Sequence, residues 1–195
     1  NYKKNKIFKS HIKEEEKIIL YNKEFFYPKY SVFYKEFLKN FETKTTLNKE
    51  YNFIAKEFFE KEIECILDVG ANIGYYSLFY NEFFSDKIKI HCFEPHPVSY
   101  YFLRKNLSSF DNIRLYNFAL GYENKEDYMS IPDHESHRLS NLGTMSIGKN
   151  SNNFKEKILI KKFDSLNISL QQFKSFYIKI DVEGYEYNVL KGMFN

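Results

Sequence analysis

Ile66-Leu67-Asp68-Val69-Gly70-Ala71-Asn72-Ile73-Gly74-Tyr75-Tyr76 is the stretch on which the fold turns. An apolar run reaches an acidic residue, passes between two glycines, and continues into large apolar and aromatic residues as far as Phe84. This pattern predicts a buried strand over Cys65–Val69, a tight turn framed by Gly70 and Gly74, and a helix near Ile73–Phe84. Free backbone N–H groups and the helix dipole at such a helix start favour an anionic group. A dinucleotide turn of the G-x-G-x-x-G kind needs glycine where Asn72 stands, so that backbone can approach a pyrophosphate, and a third glycine where Tyr75 stands. Pyrophosphate is therefore a poor fit, and a smaller carboxylate is acceptable.

The same texture continues downstream. Ile88–Phe93 reads as a strand, Pro97–Leu107 as a helix and Ile113–Phe118 as a strand. Strands alternating with helices imply a parallel sheet with crossover helices. Right-handed crossovers gather the strand carboxyl ends on one edge, where ligands of such sheets bind. Glu94 stands at the end of the second strand, in Ile90-His91-Cys92-Phe93-Glu94-Pro95, and a carboxylate there can accept hydrogen bonds from vicinal ribose hydroxyls. A further strand end carries Asp181, Glu183 and, one helical turn on, Glu186, within Phe176–Glu186. Spaced two apart on a strand end, Asp181 and Glu183 would point the same way. Such carboxylates can act as general base, metal ligands or ligand anchors. Capping of the helix that runs to Met193 would account for one of the three.

Together, Asp68–Gly74 (DVGANIG), Phe93–Pro95 (FEP) and Ile178–Glu186 (IKIDVEGYE) resemble the FkbM-type S-adenosylmethionine-dependent methyltransferases. Asn117–Gly121 (NFALG) and Lys162–Leu166 (KFDSL) follow in family order, and the likeness runs from about Leu67 to Gly192. The resemblance implies an α/β, Rossmann-like class I methyltransferase fold: a mostly parallel sheet with helices on both faces. It also implies O-methylation of a hydroxyl, often on a sugar or secondary metabolite, with S-adenosyl-L-methionine as cofactor. Asp68 opens the motif, and Gly70, Asn72 and Gly74 would hold the methionine portion of the cofactor. Glu94 would take the ribose hydroxyls, and Asn117 and Ala119 would lie beside the adenine. Asp181 would sit near the sulfonium and the acceptor as the catalytic carboxylate, with Glu183 flanking it. A divalent metal bridging the two stays an open possibility, since no metal-ligand spacing indicates one. The chain begins at Asn1 rather than Met and stops at Asn195 within an expected helix, so the later strands of that fold, including its terminal antiparallel hairpin, are expected to lie beyond it.

Upstream of Ile63 no motif can be placed. Ser31–Phe41 and Tyr51–Glu62 carry apolar residues at helical spacing, which predicts an N-terminal helical extension over 1–62 ahead of the methyltransferase domain at 63–195. Between strands, Met129–Asn153 is a polar insert with His134, His137 and Arg138. A long insert of this kind is expected to be a lid or an irregular loop. A histidine there is an alternative base, since imidazole titrates near neutral pH. His96, between two prolines, reads as a turn residue. Tyr75-Tyr76 and Tyr100-Tyr101 read as packing, with Tyr75 able to edge the pocket.

The chain has 195 residues, the size of a single domain. Its 21 Phe and 17 Tyr with no Trp, together with its Lys and Asn, read as the coding habit of an AT-rich genome rather than as function. Net charge is only +3, Lys and Glu are interleaved, and the arginines are Arg104, Arg114 and Arg138. This disfavours a nucleic-acid partner, which calls for clustered cations. The Asp181-Val182-Glu183-Gly184 run also lacks the Asn/Asp-Pro-Pro-aromatic motif of base-amino methyltransferases. Cys65 and Cys92 fall inside apolar runs and are expected to be buried and reduced, as suits a cytoplasmic protein. No run has the length of a membrane helix, and no signal-peptide core is present at the N-terminus. The partner expected is a small-molecule acceptor, a sugar or nucleotide-sugar, in surface polysaccharide biosynthesis. The rival readings are a non-catalytic methyltransferase-like domain and a methyltransferase of another small-molecule or nucleic-acid acceptor.

Overall fold

The structure, a computed structural model, describes residues 12, 14–29, 31–42, 62–84, 87–131, 147 and 154–193. It opens with an antiparallel hairpin of β1 (Glu15–Leu20) and β2 (Lys23–Pro28), followed by helix α1 (Val32–Glu42). The helix expected at Ser31–Phe41 is α1. The hairpin corrects the expectation of helix throughout this region. Tyr21 and Asn22 take positive φ at its two-residue turn, and β2 sends Phe25 and Tyr27 inward on alternate positions, a period of two that only a strand satisfies. The stretch expected as a helix at Tyr51–Glu62 lies outside the described residues except for Glu62.

Next come β3 (Cys65–Val69), α2 (Tyr75–Phe84), β4 (Lys89–Phe93), α3 (Pro97–Leu107) and β5 (Ile113–Tyr116). The chain continues through β6 (Ala119–Leu120), β7 (Lys125–Ile131), β8 (Phe154–Lys161), β9 (Phe176–Ile180) and α4 (Glu186–Lys191). The central sheet has the order β5-β4-β3-β9, all parallel. All five residues of β3 are buried because both faces are covered. Ile66 faces one apolar cluster with α2, α3, the hairpin and α1, whereas Cys65, Leu67 and Val69 face a second with Phe118, Phe163, Val189 and Met193. The parallel sheet with helices on both faces is thus present.

Two details depart from the sequence reading. The strand expected over Ile113–Phe118 ends at Tyr116, and the chain leaves the sheet to start a second one of order β6-β8-β7. Met129–Ile131, expected in the polar insert, belong to β7, and Ile147 is bridged to Met129. His134, His137 and Arg138 lie outside the described residues. Cys65 and Cys92 are buried free thiols, pushed up to about 12 (Cys65) and beyond (Cys92) in pKa chiefly by burial. Among the described residues no helix is long and apolar enough to cross a membrane.

Candidate active site

After β3, the chain moves through α2, β4, α3 and β5 to one side of the sheet, and β9 returns to pair on the other side of β3. The strand order therefore reverses between β3 and β9, and a crevice opens outside their carboxyl ends, as such sheets require. An open cleft stands there. Its floor is Val69, Gly70, Asn72 and Glu94, one wall is Ala119, Leu120 and Met129, and the other is Asp181, Val182, Glu183 and Tyr185.

Close packing makes the turn after β3 possible. Gly70 has φ +80°, and a Cβ there would stand 2.0 Å from the carbonyl oxygen of Asp181. Gly74 has φ +93°, and its Cβ would meet Leu107 at 2.8 Å and Leu103 at 2.9 Å on α3. The glycines thus let β9's end and α3 approach the turn. Gly70→Ala is expected to destabilise the fold by at least about 2 kcal/mol, from the left-handed backbone together with displacement of Asp181. A thermal melt indistinguishable from the wild type would contradict this packing account.

Glu94 is buried at 7% exposure and faces the cleft. Its Oε2 accepts the Asn72 N–H at 2.9 Å and its Oε1 the His96 N–H at 2.8 Å. Each oxygen keeps a free lone pair, so further donors from a ligand can be accommodated. Burial pushes the carboxyl up to about 7; the two N–H groups and Lys179 oppose the shift, and Asp68 adds to it. Asn117, expected beside a ligand, does not line the cleft. Its side-chain amide donates to the carbonyls of Glu94 at 2.9 Å and Pro95 at 3.3 Å, bracing the loop that carries the carboxylate. His96, expected as a turn residue, is the N-cap of α3.

Asp68 lies beneath the cleft rather than in it. Fully buried, it accepts from Ser77 Oγ at 2.6 Å and from Lys179 Nζ at 3.1 Å. Lys179 also donates to the carbonyl of Gly70 at 3.3 Å and stands 3.8 Å from Asp181 Oδ2. The sequence reading gave Lys179 no role. Its signal was a lysine inside the apolar run Tyr177–Ile180, a position that register places directly beside Asp68.

Asp181 and Glu183 both line the cleft, but not by strand alternation. β9 ends at Ile180, and Glu183 occupies a turn with φ +51° next to Gly184 at +93°. Val182 between them faces the cleft as well. Glu186 is a structural carboxylate: its Oε1 accepts from the N–H of Gly184 at 3.1 Å and of Val182 at 3.4 Å, and backbone N–H donors hold its pKa low. Among the described residues no three His, Cys, Asp or Glu side chains gather in a metal-binding group.

Residues 68–195, which carry the turn, Glu94 and Asp181, match the family model of the methyltransferase FkbM domain. The chain belongs to the FkbM methyltransferase family. The matched region starts at Asp68, inside β3, so the hairpin and α1 lie outside this FkbM match. Among solved structures, the chain is similar to a methyltransferase FkbM from Methylobacillus flagellatus, at 18% identity and a TM-score of 0.44. That similarity covers 67% of this chain and 28% of the other, so this FkbM chain spans well under a third of that protein's length. No curated protein matches it.

Proposed function

We propose that this chain is an S-adenosylmethionine-dependent O-methyltransferase of a hydroxyl on a sugar or nucleotide-sugar, working in the cytoplasm in surface polysaccharide biosynthesis. The observation that carries the cofactor reading is Glu94: a buried carboxylate at the switch-point cleft, fixed by two backbone N–H groups and still able to accept from a vicinal diol. Gly70 and Asn72 would receive the amino-acid end of the cofactor, and Ala119 and Leu120 would flank its base. Asp68, Gly74 and Asn117 would act from behind, by holding the turn and the Glu94 loop. When bound, the cofactor supplies a methyl group on a sulfonium sulfur, open to displacement by an oxygen.

A sugar hydroxyl is a weak acid, so transfer needs a group to take its proton and a site that holds the acceptor in line. Asp181 is the first candidate for the base and Glu183 the second. The charged residues on the described walls of the cleft are the carboxylates Glu94, Asp181 and Glu183. This favours entry of the sugar end of an acceptor over a phosphate.

Calorimetry with S-adenosylmethionine tests the proposal: micromolar binding is expected, weakened at least about tenfold in Glu94→Ala by loss of the charge-assisted hydrogen bonds. Wild-type protein without measurable binding would sink the reading in favour of a non-catalytic domain.

Glu94 also predicts a pH dependence. Its carboxyl is raised to about 7 in the folded chain. It therefore holds its proton more tightly folded than unfolded, and its contribution to stability is full below the ordinary carboxylate pKa and lost as pH rises through about 7. The swing is about 3 kcal/mol. Donors from a ribose favour the ionised form, so cofactor affinity is expected to rise over the same window. Titrations from about pH 4.5 to 8.5 on wild type and Glu94→Gln check this; equal pH dependence in both would assign it to another group.

A further inference from the structure

The hairpin and α1 precede the family match, yet α1 reaches the cleft. Phe33 lines it. Its neighbour Tyr34 is wholly buried and donates its hydroxyl to Asn72 Oδ1 at 2.7 Å. Asn72 sits at φ +53°, a left-handed conformation that asparagine tolerates better than most non-glycine residues. The N–H of this same residue is one of the two donors on Glu94, at 2.9 Å. A second tie runs alongside. Asn106 on α3 accepts from the Phe26 N–H at 2.7 Å and donates to the carbonyls of Phe26 at 3.0 Å and Ile73 at 2.8 Å. The N-terminal unit is thus fastened to two successive residues of the glycine turn, Asn72 and Ile73. Packing alone would call for apolar contact; it would not require a buried hydroxyl aimed at the turn residue whose N–H holds Glu94.

We infer that Tyr34 is a positioning residue of the cofactor site: it fixes the side chain of Asn72, and so keeps the Asn72 N–H on the Glu94 carboxylate. This rests on the reading of Glu94 as the ribose anchor, and it makes α1 a working part of the site. The remaining groups facing Glu94 are the His96 N–H, Lys179 and Asp68. Loosening one of its two N–H donors leaves the carboxylate in place but disfavours its ionised form.

The test is S-adenosylmethionine calorimetry on the full chain for Tyr34→Phe, Asn72→Gly and the double variant, each with its thermal melt. Tyr34→Phe keeps the ring and removes only the hydroxyl. Asn72→Gly removes the same hydrogen bond from the acceptor side, suits the positive φ, and retains the backbone N–H. Affinity is expected to fall roughly fivefold or more in each single variant. The double variant should bind no worse than the weaker single one. The pH midpoint of binding should move upward in Tyr34→Phe, which a merely structural loss would not produce. Unchanged affinity in both singles, or losses that add in the double, overturn the inference. Wild type that does not bind the cofactor sinks both this inference and the cofactor reading, whereas Glu94-dependent binding indifferent to Tyr34 and Asn72 sinks this inference alone.

Discussion

Lys179→Met is expected to lower folding stability by about 3–5 kcal/mol, because it strands a buried charge. The Lys179 side chain is only 12% exposed and Asp68 is wholly enclosed. Burial works first against the ammonium, but the carboxylates of Asp68, Asp181 and Glu94 outweigh it, and its pKa is held above the ordinary lysine value. Methionine fills most of the volume and could keep contact with the Tyr76 ring, over which the ammonium now sits at 5.2 Å. It cannot satisfy Asp68 Oδ1 or the Gly70 carbonyl. The Asp68 carboxylate would keep the Ser77 hydroxyl as a donor but lose the cation beside it. Denaturant unfolding checks the size of the loss. The double variant Asp68→Asn with Lys179→Met should recover most of it, since removing both members of a buried pair leaves no isolated charge. A single variant as stable as wild type would mean that Asp68 is neutralised some other way.

Asp181→Asn is expected to cut methyl transfer by about 10²–10⁴-fold, the usual range for losing a general base, with little change in the melting temperature. Its side chain is 57% exposed, so no buried charge is stranded in the reverse sense. Its backbone N–H, which donates to the Val69 carbonyl at 3.0 Å and holds the strand end in place, is untouched by the substitution. Single-turnover rates on an accepted sugar at saturating S-adenosylmethionine separate this from weakened cofactor binding. Full activity would remove Asp181 from the mechanism and pass the role to Glu183. On the present geometry Glu183→Gln should cost less, because Glu183 belongs to a turn rather than to a strand end beside the sheet's switch point.

Much of the fold could be read from local pattern. Cys65–Val69 and Lys89–Phe93 are short segments rich in apolar residues, and Pro97 stands at the start of α3 where its missing N–H has no cost. The hairpin was harder. Its β1 strand, Glu15–Leu20, alternates weakly, with Ile19 exposed, so period two is hidden beneath a charge-rich sequence. The split of Ile113–Leu120 between two sheets was also illegible, because the break is enforced by Asn117 reaching back to the Glu94 loop, a contact made across the fold. Likewise the helical spacing in α1 predicts a helix, but not that Tyr34 meets Asn72.

By itself, then, the sequence determined the strand–turn–helix at Asp68–Gly74, the carboxylate after β4, the acidic pair after β9 and the family they belong to, because each depends on short-range spacing and backbone stereochemistry. Only the tertiary structure decided which of those residues face the cleft and which brace it from behind. Asp68 is drawn under the floor by Lys179 from a strand more than a hundred residues away in sequence, and Glu186 is spent on the turn that precedes its own helix. Burial and long-range hydrogen bonds assign those roles, and both depend on where distant segments pack rather than on any spacing along the chain.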